Sequence, residues 1–271
     1  MKFVQATLTS AAALLAASAV TAQDMSFNRI ASFPVASNSD GSAETSSEII
    51  TVSGDGMTLV YSDSPLGVIG FIDITDPAIP APLGTLRVDG EPTAVSAVRN
   101  SVIAGVNTSE SYVAPSGFAA SFAIDTMTET ARCDLGGQPD STAIAPDGSF
   151  VAIAIENERD EDAGDGRVGQ MPAGSVAMID LTAAGALDCA TIRFANVTGL
   201  AEIAPEDPEP EFVDINAAGE VVVTMQENNH LVVLGRDGAV LSHFSAGMVD
   251  LTGIDATDER AAMIFNETQT G

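Results

Sequence analysis

Apolar and polar positions alternate along this chain in short runs, and the runs fall into a cycle of four. A cycle opens with a brief alternation, turns at Asp or Gly, continues through an apolar run, breaks at polar residues, and resumes with a second apolar run ending in Asp. In the first copy, Ile49-Ile50-Thr51-Val52 leads to the turn Gly54-Asp55-Gly56, then Thr58-Leu59-Val60-Tyr61, a break at Asp63-Ser64-Pro65, Val68 to Asp73, and Leu83 to Val88. The cleanest copies are Glu48 to Val88, Pro139 to Val197 and Pro210 to Ser245. Short β-rich runs punctuated by Gly, Asp and Pro predict antiparallel strands in a meander. Four strands recurring every forty to fifty residues or so predict blades of a β-propeller. No stretch sustains a helical period, so the expected class is all-β.

Aligning the first turns gives a register of Gly56, Asn100, Gly148, Gly219 and Asp258, with two insertions in the third copy, Arg159 to Ala173 and Thr198 to Glu209. Insertions in a propeller fall in loops on its faces. The fifth copy starts at Val249-Asp250-Leu251-Thr252 and runs through Ala261 to Phe265, which supplies two strands where four are expected. The count is therefore about four and a half four-stranded antiparallel blades, and closure, which removes sheet edges, favours the front part of a larger propeller. A small complete propeller with an irregular last blade is the alternative. Phe27 to Val35 is a candidate outer strand for pairing with the last blade.

The N-terminus reads as a secretory signal over residues 1–22: Met1-Lys2, an apolar stretch through Leu14, Leu15 and Val20, then Val20-Thr21-Ala22 before Gln23. The apolar run is shorter than the roughly 20 residues of a membrane span. Residues 23–271 would then form the propeller domain, outside the cytoplasm: periplasmic, secreted or at the cell surface. Lys2 is the only lysine; without it nine arginines face 38 acidic residues, a net charge of −29. Such a surface repels nucleic acid and anionic membrane, and a polyanionic substrate would need bound metal. Solubility alone also explains the charge. In an oxidising compartment the two cysteines, Cys133 and Cys189, are candidates for a disulfide. Both fall in predicted outermost strands, which diverge between neighbouring blades.

Eight residues before each turn stand Glu48, Pro92, Asp140, Glu211 and Asp250. The first strand of a blade lines the channel, so these positions predict a ring of carboxylates at its mouth, a plausible site for Ca2+. Such residues also start strands by capping backbone donors. A second set ends the second strands: Asp63, Asn107, Glu156-Asn157-Glu158, Glu227-Asn228-Asn229 and Asn266-Glu267. Propeller geometry places both sets at one mouth, where Glu156, Glu158, Glu211 and Glu227 are candidate metal ligands and Asp140, Asn157, Asn228 and Asn229 candidate ligand-binding residues. Loop capping is again the alternative. The loop Asp160 to Gly166 misses the EF-hand register, and its Gly164-x-Gly166-x-x-Gly169 lacks the strand-to-helix context of a dinucleotide site. His230 and His243 are the only histidines, and His230 reads as a structural strand residue. No nucleophile motif is present, so any hydrolase here would depend on metal.

Three stretches carry a resemblance: Gln138-Pro139-Asp140-Ser141 through Pro146-Asp147-Gly148; Ile155-Glu156-Asn157-Glu158; and Asp207-Pro208-Glu209-Pro210-Glu211-Phe212 through Gln226-Glu227-Asn228-Asn229. They resemble the choice-of-anchor I group of secreted bacterial propellers and the related proteins described as having esterase-like activity of phytase. The resemblance covers most of Glu48 to Asn266. It implies a multi-bladed YVTN-like propeller, longer than this chain, with Glu156, Glu158, Glu211 and Glu227 as the site to carry over. Three functions follow as expectations: a module that binds a ligand or partner at an acidic mouth, with Ca2+ as a candidate cofactor; a metal-dependent phosphoesterase; or a structural display module of a surface protein.

Overall fold

The computed structural model describes residues 28–41, 44–160, 162–164, 170–250 and 252, with the strand backbones 254–255, 264–265 and 268–269. Four antiparallel four-stranded sheets follow one another along the chain, each with its strands in sequence order. The first blade holds β1 (Ile50–Val52), β2 (Thr58–Asp63), β3 (Val68–Asp73) and β4 (Ala81–Arg87). The second holds β5 (Glu91–Val98), β6 (Ser101–Asn107), β7 (Gly117–Ala123) and β8 (Thr128–Asp134). The third holds β9 (Pro139–Ile144), β10 (Phe150–Ile155), β11 (Ser175–Asp180) and β12 (Arg193–Ala195), and the fourth β13 (Val213–Ile215), β14 (Val221–Met225), β15 (His230–Leu234) and β16 (Val240–Ser245). In the fifth copy, β17 (Val249–Asp250) pairs with β20 (Thr268–Gln269) and β18 (Ile254–Asp255) with β19 (Ile264–Phe265).

Two-sided burial explains why the middle strands read as unbroken apolar runs rather than alternations. A sheet packed on both faces must be apolar on both, and every residue of β10, Phe150 to Ile155, is buried. The apolar cores lie between successive blades: Val60, Phe71, Val95 and Phe122 between the first and second, Ile103, Val151 and Ile179 between the second and third, and Phe150, Met178, Val223 and Leu234 between the third and fourth.

Side-chain hydroxyls tie each innermost strand to the next. Ala97 N donates to Thr51 Oγ1 (3.3 Å), Ser96 Oγ to Thr142 O (2.8 Å), Thr93 Oγ1 to Pro139 O (2.8 Å), and Val213 N to Ser141 Oγ (3.0 Å). Glycines allow the third strands to start against the next blade. A Cβ on Gly117 would lie 2.4 Å from Pro139 Cδ, and one on Gly174 2.5 Å from both Pro210 Cδ and the Glu156 carbonyl.

Cys133 of β8 is bonded to Cys189, with Cα atoms 5.3 Å apart. Cys189 sits not in an outer strand but in the 3-10 turn Cys189–Thr191 that precedes β12. That displacement lets the sulfurs span two diverging blades. The N-terminal segment also departs from expectation. Instead of a strand on the last blade, the described part forms a 3-10 turn, Val35–Asn38, against the first. Asn38 Nδ2 donates to Tyr61 Oη, Phe71 O and Gly84 O, and its Oδ1 accepts from Gly84 N at 2.8 Å. The buried amide thereby fills the β3–β4 bulge, where the ladder leaves backbone groups unpaired. The expected signal, residues 1–22, lies outside the described residues, as do Asn266, Glu267 and most of the Asp160 to Gly169 loop.

Candidate functional site

The mouth is built where first strands begin and second strands end. Pairing of Ile155 with Pro139 sets Asp140 at the start of β9 beside Glu156 and Glu158, which follow β10. In the next blade Glu211 precedes β13 and Glu227 follows β14, and Gln226 N donates to Glu211 Oε1 at 3.2 Å. These carboxylates act on one another. Burial pushes Asp140 up to about 6, helped by repulsion from Glu158 and Glu227. Burial likewise pushes Glu156 up to about 9, with Asp140, Glu158, Glu211 and Glu209 adding to it. Glu211 rises to about 8 through burial and then through the neighbouring Glu227. Every charge bearing on these three groups is negative. Glu227 Oε2 is buried with no hydrogen-bond partner.

The ring of carboxylates expected around the whole mouth is only half built. Asp140 and Glu211 join the cluster, but Glu48 accepts from Ser64 Oγ (2.8 Å), and Asp250 caps Thr252 N (2.9 Å), which holds its carboxyl below the usual range. Asp63 is fully buried and accepts from Thr45, Ser46 N and Leu66 N, while Asn107 Oδ1 accepts from Ser109 N.

The three asparagines expected to bind ligand do other work. Asn157 Oδ1 accepts from Gln138 N (2.9 Å) and its Nδ2 donates to Pro172 O and Ala173 O. Asn228 Oδ1 accepts from Glu209 N (2.8 Å), and its Nδ2 donates to the carbonyls of Ile203, Ala204 and Asp207. Asn229 Nδ2 donates to Gly247 O. All three are buried, and amides engaged with backbone in this way have little left to offer a ligand. Among the described residues no group of three or more His, Cys, Asp or Glu is placed to hold a metal ion.

The sequence matches the choice-of-anchor I domain over residues 48–269. The chain belongs to the choice-of-anchor I family. No functionally curated protein matches it. Among solved structures, this choice-of-anchor I chain is similar to a functionally unknown protein from Desulfotomaculum acetoxidans, with a TM-score of 0.54 and 10% identity, covering 77% of this chain and 60% of that one. It is also similar to the β-propeller domain of Cps50 (Swd1) from Myceliophteria thermophila, with a TM-score of 0.50 and 11% identity over 75% of this chain and 58% of that one. The chain thus spans about three fifths of each, and at such identity the likeness concerns the propeller fold alone.

One feature of this choice-of-anchor I propeller goes beyond the sequence reading. The two insertions of the third copy, expected as loops on the faces of the propeller, are joined by a buried ion cluster. Arg159 donates through its backbone N and Nε to Glu209, and its Nε lies 3.8 Å from Asp207 Oδ2, which also accepts from Gln170 N at 2.8 Å. The three side chains are 4%, 2% and 2% exposed for Arg159, Asp207 and Glu209. Burial pushes Glu209 up to about 7 even with Arg159 opposing the shift. The cluster fixes Glu158, next to Arg159, and Glu211, two residues beyond Glu209, and so sets the spacing of the mouth. The signal available in sequence was an arginine inside an otherwise acidic run, Glu156 to Asp162.

Proposed function

We propose that this propeller is an extracytoplasmic binding module whose acidic mouth, Asp140, Glu156, Glu158, Glu211 and Glu227, takes a cationic ligand or a cationic group of a partner. The observation that carries the reading is the mutual elevation of Asp140, Glu156 and Glu211 with no cation among the charges that bear on them. Carboxylates held together out of water favour either protons or a bound cation, and a cation that displaces the protons gains the full attraction of the cluster. The Cys133 to Cys189 disulfide supports an oxidising compartment, in keeping with the secretory reading of residues 1–22. Among the described residues no helix is long and apolar enough to cross a membrane.

Calcium is the first ion to test. The donor chemistry fits a hard cation, since all five side chains offer oxygen. Calcium takes roughly six to eight oxygens, so the carboxylates would have to draw together around it, with backbone carbonyls or water completing the shell. The phosphoesterase alternative draws no support from the mouth, which would repel a phosphate unless metal were already bound. Calorimetric titration of residues 23–271 with Ca2+, and in parallel with a short arginine-rich peptide, tests the proposal. Binding of either that is lost in Glu211→Gln/Glu227→Gln, with the fold intact by circular dichroism, supports it. Absence of heat with both cations overturns it and leaves the display reading.

A further inference from the structure

His230 and His243, the only histidines in the chain, meet across the last two strands of the fourth blade. His230 opens β15 opposite Ser245 of β16, and His243 stands opposite Val232. The imidazoles therefore meet on the diagonal, His230 Nε2 to His243 Nδ1 at 3.0 Å, with ring centroids 5.2 Å apart. The two ends of this contact differ. His230 is 5% exposed and its Nδ1 is buried without a hydrogen-bond partner, whereas His243 is exposed.

A hydrogen bond between two imidazoles needs one nitrogen to donate and the other to keep its lone pair. One extra proton is tolerated, because it can sit on the exposed ring and point its N–H at His230. A second proton turns both facing nitrogens into donors, removes the bond, and places a charge inside the blade. We propose that this pair is an acid-sensitive latch, in which the second proton releases the outermost strand β16 from β15.

Two further observations support the latch. β16, Val240 to Ser245, is the outermost strand of its sheet and pairs with β15 alone, so it is the part of the blade most ready to open. The charged groups that bear on His230 are His243 from β16 and Glu202 from the loop before β13; its neighbours Thr224, Met225 and Gln226 and the turn residue Asn229 are uncharged. Burial lowers the His230 pKa below the ordinary histidine value, His243 lowers it further, and Glu202 opposes. A histidine lowered by folding contributes stability above its unfolded pKa of about 6.5, and that contribution is lost as the pH falls below it. The latch therefore opens on the acid side.

With two histidines, their imidazole NMR signals can be assigned by one substitution. On residues 23–271, the latch predicts that His230 takes up its proton on the acid side of an ordinary histidine. It also predicts that exchange of the β16 amides, corrected for intrinsic rates, accelerates about tenfold or more between pH 7 and pH 5, while β10 amides do not respond. His230→Gln should abolish that pH dependence, and His243→Gln, at an exposed position, should weaken it, each in a protein shown to be folded by circular dichroism. A pH response of β16 exchange that survives His230→Gln, or that is unchanged in His243→Gln, would overturn the latch. The mouth carboxylates are absent from both readouts, so a failed cation titration leaves this test intact.

Discussion

At the end of the second strand, Asp63 in the first blade is enclosed by Thr45, Ser46 and Leu66, and Asn107 in the second caps Ser109. Just beyond the second strand in the third and fourth blades Asn157 and Asn228 make comparable caps, and beside them stand Glu156 and Glu227, which lie among other carboxylates. The contrast extends inward. Charge in the second blade stays at the rim, where Arg132 pairs with Glu129 and Asp89 and lies over Phe118. Between the third and fourth blades Arg159, Asp207, Glu209 and His230 are buried. One scaffold thus carries two designs: a half stabilised by apolar packing and satisfied caps, and a charged half in which acidic side chains gather beside two insertions.

Substitutions can break or sharpen this contrast. The largest expected effect is in the charged half: Arg159→Ala strands two buried carboxylates and should cost about 3–5 kcal/mol in denaturant unfolding, with part of the loss recovered at acid pH as Glu209 takes a proton. Phe71→Ala in the first blade should cost a similar amount, about 3–5 kcal/mol, by leaving a cavity, and the same pH series should show little recovery. Replacing Cys133 and Cys189 by Ala, which frees a 56-residue separation across the two designs, should cost about 2–4 kcal/mol. The mouth should show as a pH response. Carboxylates raised by folding contribute stability that is lost as pH rises through their folded values, here from about 6 for Asp140 to about 9 for Glu156. Glu156→Gln/Glu211→Gln should flatten the curve of denaturant stability against pH, and a saturating bound cation should do the same. Asp89→Asn, which removes an exposed ion pair of the second blade, should change stability by less than about 1 kcal/mol.

The blades are legible in the sequence because period-two runs and turn glycines are local signals. Gly56, Gly148 and Gly219, aligned from sequence alone, take φ of 76°, 70° and 81° at their turns, a region that favours glycine. The second blade makes the equivalent turn with Arg99 at φ 53°, and its first-strand pairing carries a bulge at Thr93. The carboxylates of the mouth are legible for the same reason, since their position follows from strand register. What each residue beside them does is not. In Glu156-Asn157-Glu158 the inward-facing member is fixed by the positive φ of Asn157, 52°, and in Glu227-Asn228-Asn229 by the fit of Asn228 against carbonyls 21 to 25 residues away. Arg159 and Glu209 are 50 residues apart, one at the start of the first insertion and the other at the end of the second. Their pairing depends on how two loops fold onto each other.

The disulfide also decides what a cut would do. The first insertion lies between Cys133 and Cys189, so a protease that nicks the chain anywhere in that interval leaves both fragments covalently joined. The first insertion can therefore be severed without the two halves parting, and they separate only when the disulfide is reduced.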